Sequence, residues 1–189
     1  MKKTTLILIT ILNIFFVDAQ QPQEDELIDV FSKYRELIED KNYDKAFDYY
    51  SKDFLKYIPK KKLKKEFLKL NNNPNFEYSV TNSILISKSK IIEEGNKKYT
   101  LIKYGANTHI KFSDNATDDY INERKNHFKN IYKGNYRYIK ETNEIITYKE
   151  QVLIGVYEKT WSFLIYKKKL KPYMYLWMPK GIIDKLLEL

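Results

Sequence analysis

Apolar residues recur every three or four positions through the first third of the chain and at every second position through much of the rest. Leu27, Val30, Phe31, Tyr34, Leu37 and Ile38 mark one face of a helix. Asp40-Lys41-Asn42 interrupts it, and Tyr43, Ala46, Phe47 and Tyr50 predict a second, shorter helix. Ser51 to Ile58 reads as a turn anchored by Phe54, Leu55 and Ile58. Pro59 suits the first turn of a third helix, where its missing N–H costs nothing. In that helix Leu63, Phe67 and Leu70, with Leu68 alongside, form one stripe opposite six lysines. The stripe predicts docking on the sheet, with lysine stems covering apolar surface while their ammonium groups stay wet. Asn71-Asn72-Asn73-Pro74 ends the helix.

After Pro74 the period changes. Phe76 to Ile92 is rich in β-branched residues, and Glu94-Gly95-Asn96 marks a hairpin. Ile102, Tyr104, Ala106, Thr108, Ile110 and Phe112 then alternate with Lys103, Gly105, Asn107, His109 and Lys111, which is the pattern of a strand with one apolar face. A fourth helix follows, carrying Tyr120, Ile121, Phe128, Ile131 and Tyr132, and Gly134-Asn135 stops it. Strands are expected at Tyr136–Lys140, Glu144–Lys149, Gln151–Tyr157, Thr160–Tyr166 and Tyr173–Trp177, and Pro179–Leu187 predicts a closing helix. Residues 151–157 and 160–166 are apolar on both faces, so they belong mid-sheet or along an apolar concavity. Helices first and a meander of strands after predict an α+β domain, its helices on one side of a strongly curved, mostly antiparallel sheet.

The N-terminus changes where this domain is expected to work. Lys2 and Lys3, the apolar run Leu6–Val17 and the small Ala19 before Gln20 have the layout of a secretory signal peptide covering residues 1–19. The run is short of the ~20 residues a spanning helix needs. Residues 20–189 then form a single domain, and the net charge falls from +9 to +8. The chain has no cysteine, so neither a disulfide nor a lipid-bearing cysteine is available. The product is expected to be soluble, in a periplasm or outside the cell, and without a transmembrane segment.

Three stretches carry a family resemblance. They are "IDVFSKYRELIEDKNYDKAFDYYSKDFLKYIP", "KKYTLIKYGANTHIKF", and "VLIGVYEKTWSFLIY" with the later "MPKGIIDKLLEL". In this order they resemble exported bacterial members of the nuclear transport factor 2-like superfamily. The resemblance implies a cone, with a curved cystatin-like sheet wrapped around the first helix and a mouth that often forms an apolar pocket. The inserted helix at 117–133 departs from compact members. Some members are enzymes, such as ketosteroid isomerases and polyketide cyclases, and others only bind ligands, so the fold does not choose between these.

The residues lean towards binding. His109 falls on the polar face of its strand and His127 lies in the inserted helix, neither with a partner evident in sequence. Asp114, Asp118 and Asp119 favour the positive end of a helix, and no metal-ligand spacing, phosphate-cradling loop or nucleophile motif occurs. No cofactor, metal or catalytic residue is assigned. Seventeen tyrosines, dense in the late strands, are the positive signal. Tyr104, Tyr148, Trp161, Tyr166, Tyr173, Tyr175 and Trp177 are the expected ligand-binding residues on a concave sheet face. The expectation is an exported, non-catalytic domain binding a small molecule, peptide or protein partner; the alternative is an isomerase- or cyclase-type enzyme. No nucleic-acid partner is expected, and contact of the lysine helix with an anionic surface is a weaker expectation.

Overall fold

The computed structural model describes residues 21–188, and the expected signal peptide lies outside them. Helix α1 (Gln21–Glu39) buries Leu27, Phe31, Tyr34 and Ile38, one face at helical spacing. It ends where Lys41 takes φ 59. A short helix α2 (Tyr43–Ala46) runs into a 3-10 turn at Phe47–Tyr49. The expected turn at 51–58 is instead helix α3 (Lys52–Tyr57), with Phe54 buried beneath it. Ser51 accepts from Leu55 N–H at 3.0 Å, which starts that helical turn from the backbone alone.

The lysine-rich segment forms α4 (Lys60–Asn71), which touches β1 (Phe76–Lys88) and α2. Its expected stripe is only half realised. Leu63 and Phe67 pack against the core, whereas Leu68 and Leu70 are 39% and 41% exposed. The helix meets the domain along one narrow line, so the other two apolar residues stay partly in water.

Six strands make one open antiparallel sheet. Its spine is β3 (Lys97–Phe112) paired with β5 (Glu144–Tyr157) from Lys98↔Tyr157 to Lys111↔Glu144. Strand β1 lines the far edge of β3, and β2 (Ile92–Glu94) extends that edge through a tight turn with Gly95 at φ 62. On the other side of β5 lie β4 (Tyr136–Ile139) and β6 (Trp161–Tyr166). The two strands expected at 144–149 and 151–157 are therefore one. The expected strand at 173–177 is a correction too. Pro172, which fixes φ and offers no N–H, sits in the first turn of helix α6 (Lys171–Met174), and turns follow. Helix α5 (Asp118–Tyr132) is capped by Thr117, with Asp118 and Asp119 in its positive first turn, and α7 (Lys180–Leu187) closes the described chain.

One sheet face decides where a site can form. It carries Ile102, Tyr104, Thr108 and Ile110 from β3, opposite Leu153, Gln151, Thr147 and Ile145 from β5. The ends of that face are apolar and its middle is polar. At one end Phe31 of α1 meets Tyr104 and Phe163 edge-on, with ring centroids 5.6 and 6.1 Å away. Such pairs add about 0.5–1.5 kcal/mol beyond burial. At the other end Ile110, Phe112 and Ile145 cluster with Ile121 of α5. Strand β1 slips register between Thr81 and Ile84 and again between Leu85 and Ser87, with Asn82 at φ 53. Bulges bend and twist a strand, so the sheet curves here. Ser83 inside the first irregularity is tied to α1: its N–H donates to Glu39 Oε1 at 2.8 Å, and its Oγ accepts from Arg35 Nε at 2.9 Å.

Candidate functional site

A cleft lies between the N-terminal helices, the sheet and α5, and it reaches the edge of the Ile110 cluster. It has two compartments that share Tyr78, Lys149 and Gln151 on their linings. The larger, about 700 Å³, is walled by Tyr34, Tyr50, Phe67 and Tyr104. The smaller, about 350 Å³, is lined by Leu70, Phe76, Ile110, Phe128 and Tyr132.

Arg35 is the unusual residue of the larger compartment. It follows Tyr34 and lies four positions after Phe31, which puts a guanidinium on the buried stripe of α1. It is 6% exposed and is the one charged side chain among the buried described residues. Its Cζ sits 4.7 Å from the Tyr104 ring centroid and 5.6 Å from that of Tyr34. Among the described residues no carboxylate lies within 4 Å of it. A buried charge held by the Ser83 and Tyr34 hydroxyls and two ring faces, with Glu36 and Glu39 bordering a neighbouring hollow but neither within 4 Å, lacks a direct carboxylate partner.

The phenols around it form a closed set. Tyr34 and Tyr50 share a hydrogen bond of 3.1 Å. Burial pushes the Tyr50 hydroxyl up to about 12, and burial also holds Tyr34 and Tyr104 well above the ordinary phenol value. These groups are therefore neutral donors at physiological pH. The rim adds Lys149, Lys167, Lys168 and Lys169, and none of these four has a carboxylate within 4 Å among the described residues. Glu150 also borders the cleft, but it is paired with Lys103 at 2.5 Å. The arrangement can hold an anion against aromatic walls.

The seven residues expected from sequence are spread over four places. Tyr104 and Tyr166 line the larger compartment. Tyr148 lies on the opposite sheet face, where a Cβ at Gly105 would run into its ring. Trp161 is 1% exposed in the main core, 5.3 Å from the Tyr157 ring. Tyr173 is 59% exposed, and Tyr175 and Trp177 border a shallow depression with Asp53 and Tyr57. Sequence reasoning missed Arg35, Tyr34, Tyr50, Tyr78, Lys149 and Gln151. The signal for Arg35 was present as a lone cation at an apolar spacing.

The opposite face carries the second chemical feature. His109 Nε2 lies 2.8 Å from Thr81 Oγ1, and its Nδ1 lies 2.7 Å from Glu144 Oε1. The imidazole thus has partners on both sides, which the strand pattern alone did not reveal. The three side chains come from β1, β3 and β5 and tie neighbouring strands together, and none of them lines the cleft. The chain matches no protein-family model, no curated protein and no solved structure.

Proposed function

We propose that this domain binds a small amphipathic anion in the cleft and does no chemistry on it. The observation that supports this is Arg35, a buried guanidinium without a carboxylate partner, facing aromatic walls. An incoming carboxylate or phosphate supplies the charge-assisted hydrogen bonds that the fold withholds. The unpaired rim lysines raise the local concentration of anions, and the rings supply apolar area. An isomerase or cyclase needs an acid or base facing its substrate. The described lining offers a single carboxylate, Glu150, already paired with Lys103, and phenols that burial keeps protonated, and that weighs towards binding. Membership of the nuclear transport factor 2-like superfamily and export after cleavage at Ala19 remain part of the reading; both rest on the sequence. Among the described residues no helix is long and apolar enough to cross a membrane.

The test compares naphthalene-2-carboxylate with neutral 2-naphthol by titration calorimetry. The carboxylate is expected to bind at least about tenfold more tightly, and Arg35→Met to erase the difference, since a lost charged partner costs about 2–5 kcal/mol. Equal binding of acid and alcohol by the unaltered protein would overturn the reading.

A further inference from the structure

The geometry points to a more specific ligand class: a single-chain anionic amphiphile whose head sits at Arg35 and whose apolar tail runs past Tyr78 into the smaller compartment. This inference rests on the anion-binding reading above. Three observations carry it. The two compartments adjoin, since Tyr78, Lys149 and Gln151 line both. They differ in chemistry. The buried cation and the hydroxyls of Tyr34 and Tyr50 belong to the first, whereas Leu70, Phe76, Ile110 and Phe128 give the second a hydrocarbon wall, interrupted by Arg124, whose guanidinium already pairs with Glu123 at 3.0 Å. The sheet face itself runs from one to the other, because Tyr104, Thr108 and Ile110 follow each other at every second or fourth position along β3.

The apolar end is also under-filled. Leu70 is 41% exposed although it borders this hollow, and Thr108, Phe128 and Tyr132 are only half-buried. A tail laid there would remove the same surfaces from water. Each methylene transferred to an apolar lining is worth about fourfold in affinity. A compact anion would leave the second compartment empty; a compact apolar molecule would leave Arg35 unpaired. An elongated amphiphile satisfies both ends at once.

The experiment measures binding of hexanoate and dodecanoate to the full chain by calorimetry, below the micelle concentration. Dodecanoate is expected to bind at least about 30-fold more tightly, a fraction of the gain that six fully buried methylenes would give. Thr108→Trp fills the smaller compartment and should erase most of that gain while leaving hexanoate unchanged. Leu70→Asp, at an exposed position that the fold tolerates, should weaken dodecanoate about tenfold and spare hexanoate. Retained hexanoate binding shows that each variant is folded. If hexanoate and dodecanoate bind alike, the tail assignment falls and the Arg35 reading stands. A chain-length gain that survives both substitutions places the tail elsewhere and also overturns the inference. If neither acid binds, the anion-binding reading fails, and this inference with it.

Discussion

The two lysine-rich regions of the chain differ in what their charges meet. On α4, Lys60 pairs with Asp48, Lys64 with Asp44 at 2.6 Å and Lys69 with Glu66 at 3.0 Å. Around the cleft, Lys149, Lys167, Lys168 and Lys169 have no carboxylate within 4 Å among the described residues, and neither has the buried Arg35. The run that dominates the sequence is thus partly neutralised by α2, by the 3-10 turn that follows it and by its own Glu66. Lys61, Lys62 and Lys65 of α4 also have no carboxylate within 4 Å among the described residues, but they face solvent; the open charge at the cleft comes from α1, β5 and the segment after β6, and only folding gathers it. Local density of one residue type is a poor guide to function; what matters is whether the fold gives each charge a partner.

The largest expected effect comes from the hydroxyls beside that open charge. Tyr34, Tyr50 and Tyr104 have their phenol values raised chiefly by burial, Tyr50 to about 12. The neutral form is favoured in the folded state, so the contribution is complete below the ordinary phenol value near 10 and is lost as pH rises through about 10 to 12. For Tyr50 alone, two units correspond to about 3 kcal/mol. Denaturant midpoints measured from pH 8 to 12 should therefore fall steeply above pH 10, and Tyr50→Phe should flatten the slope. Absorbance at 295 nm should show a set of tyrosines that ionise only with unfolding. If every tyrosine titrated near pH 10 in the folded protein, the closed cleft wall described here would be wrong.

The next effect concerns the sign of one substitution. A structural buried arginine, when removed, costs about 3–5 kcal/mol because its partner is left charged and alone. Arg35 leaves no such partner, only the Ser83 and Tyr34 hydroxyls and two rings. Arg35→Met should therefore change stability by no more than about 1 kcal/mol in either direction, since the lost hydrogen bonds and ring contacts are offset by relief of the buried charge. Chemical denaturation decides it. A loss near 3 kcal/mol would make Arg35 a clamp for the β1 bulge rather than a ligand group.

The same contrast explains how far the sequence could be read. The helical stripe of α1 and the alternation of β3 are long and regular, and both were legible because one face of each is buried along its length. Helix α3 was not, since six residues give too little periodicity, and residues 173–177 carry aromatics that suit a strand while Pro172 starts a helix. The β1 bulge at Asn82 has no turn signature, yet it bends the sheet over which the cleft forms. Of the seven aromatics expected to bind a ligand, Tyr104 and Tyr166 meet in the cleft, because strand parity is local but pairing register is not. Arg35 was written in an apolar position of α1, and only the absence of a nearby carboxylate gives that position its meaning.

The smallest effects separate the two lysine regions directly. Replacing Lys167, Lys168 and Lys169 by glutamine should weaken naphthalene-2-carboxylate binding about three- to tenfold at low ionic strength and far less at 0.5 M salt, where the screening length is only a few ångströms. Replacing Lys60 and Lys64 should leave that affinity unchanged. It should instead loosen α4 from α2 and from the 3-10 turn at Phe47–Tyr49 by about 0.2–1 kcal/mol per pair, the range for exposed ion pairs, because both pairs are largely solvated. Calorimetry at two salt concentrations and urea midpoints read the two quantities separately. If the α4 variants weakened binding as much as the rim variants, net charge alone would govern association. The distinction between paired and open lysines would then have no functional content.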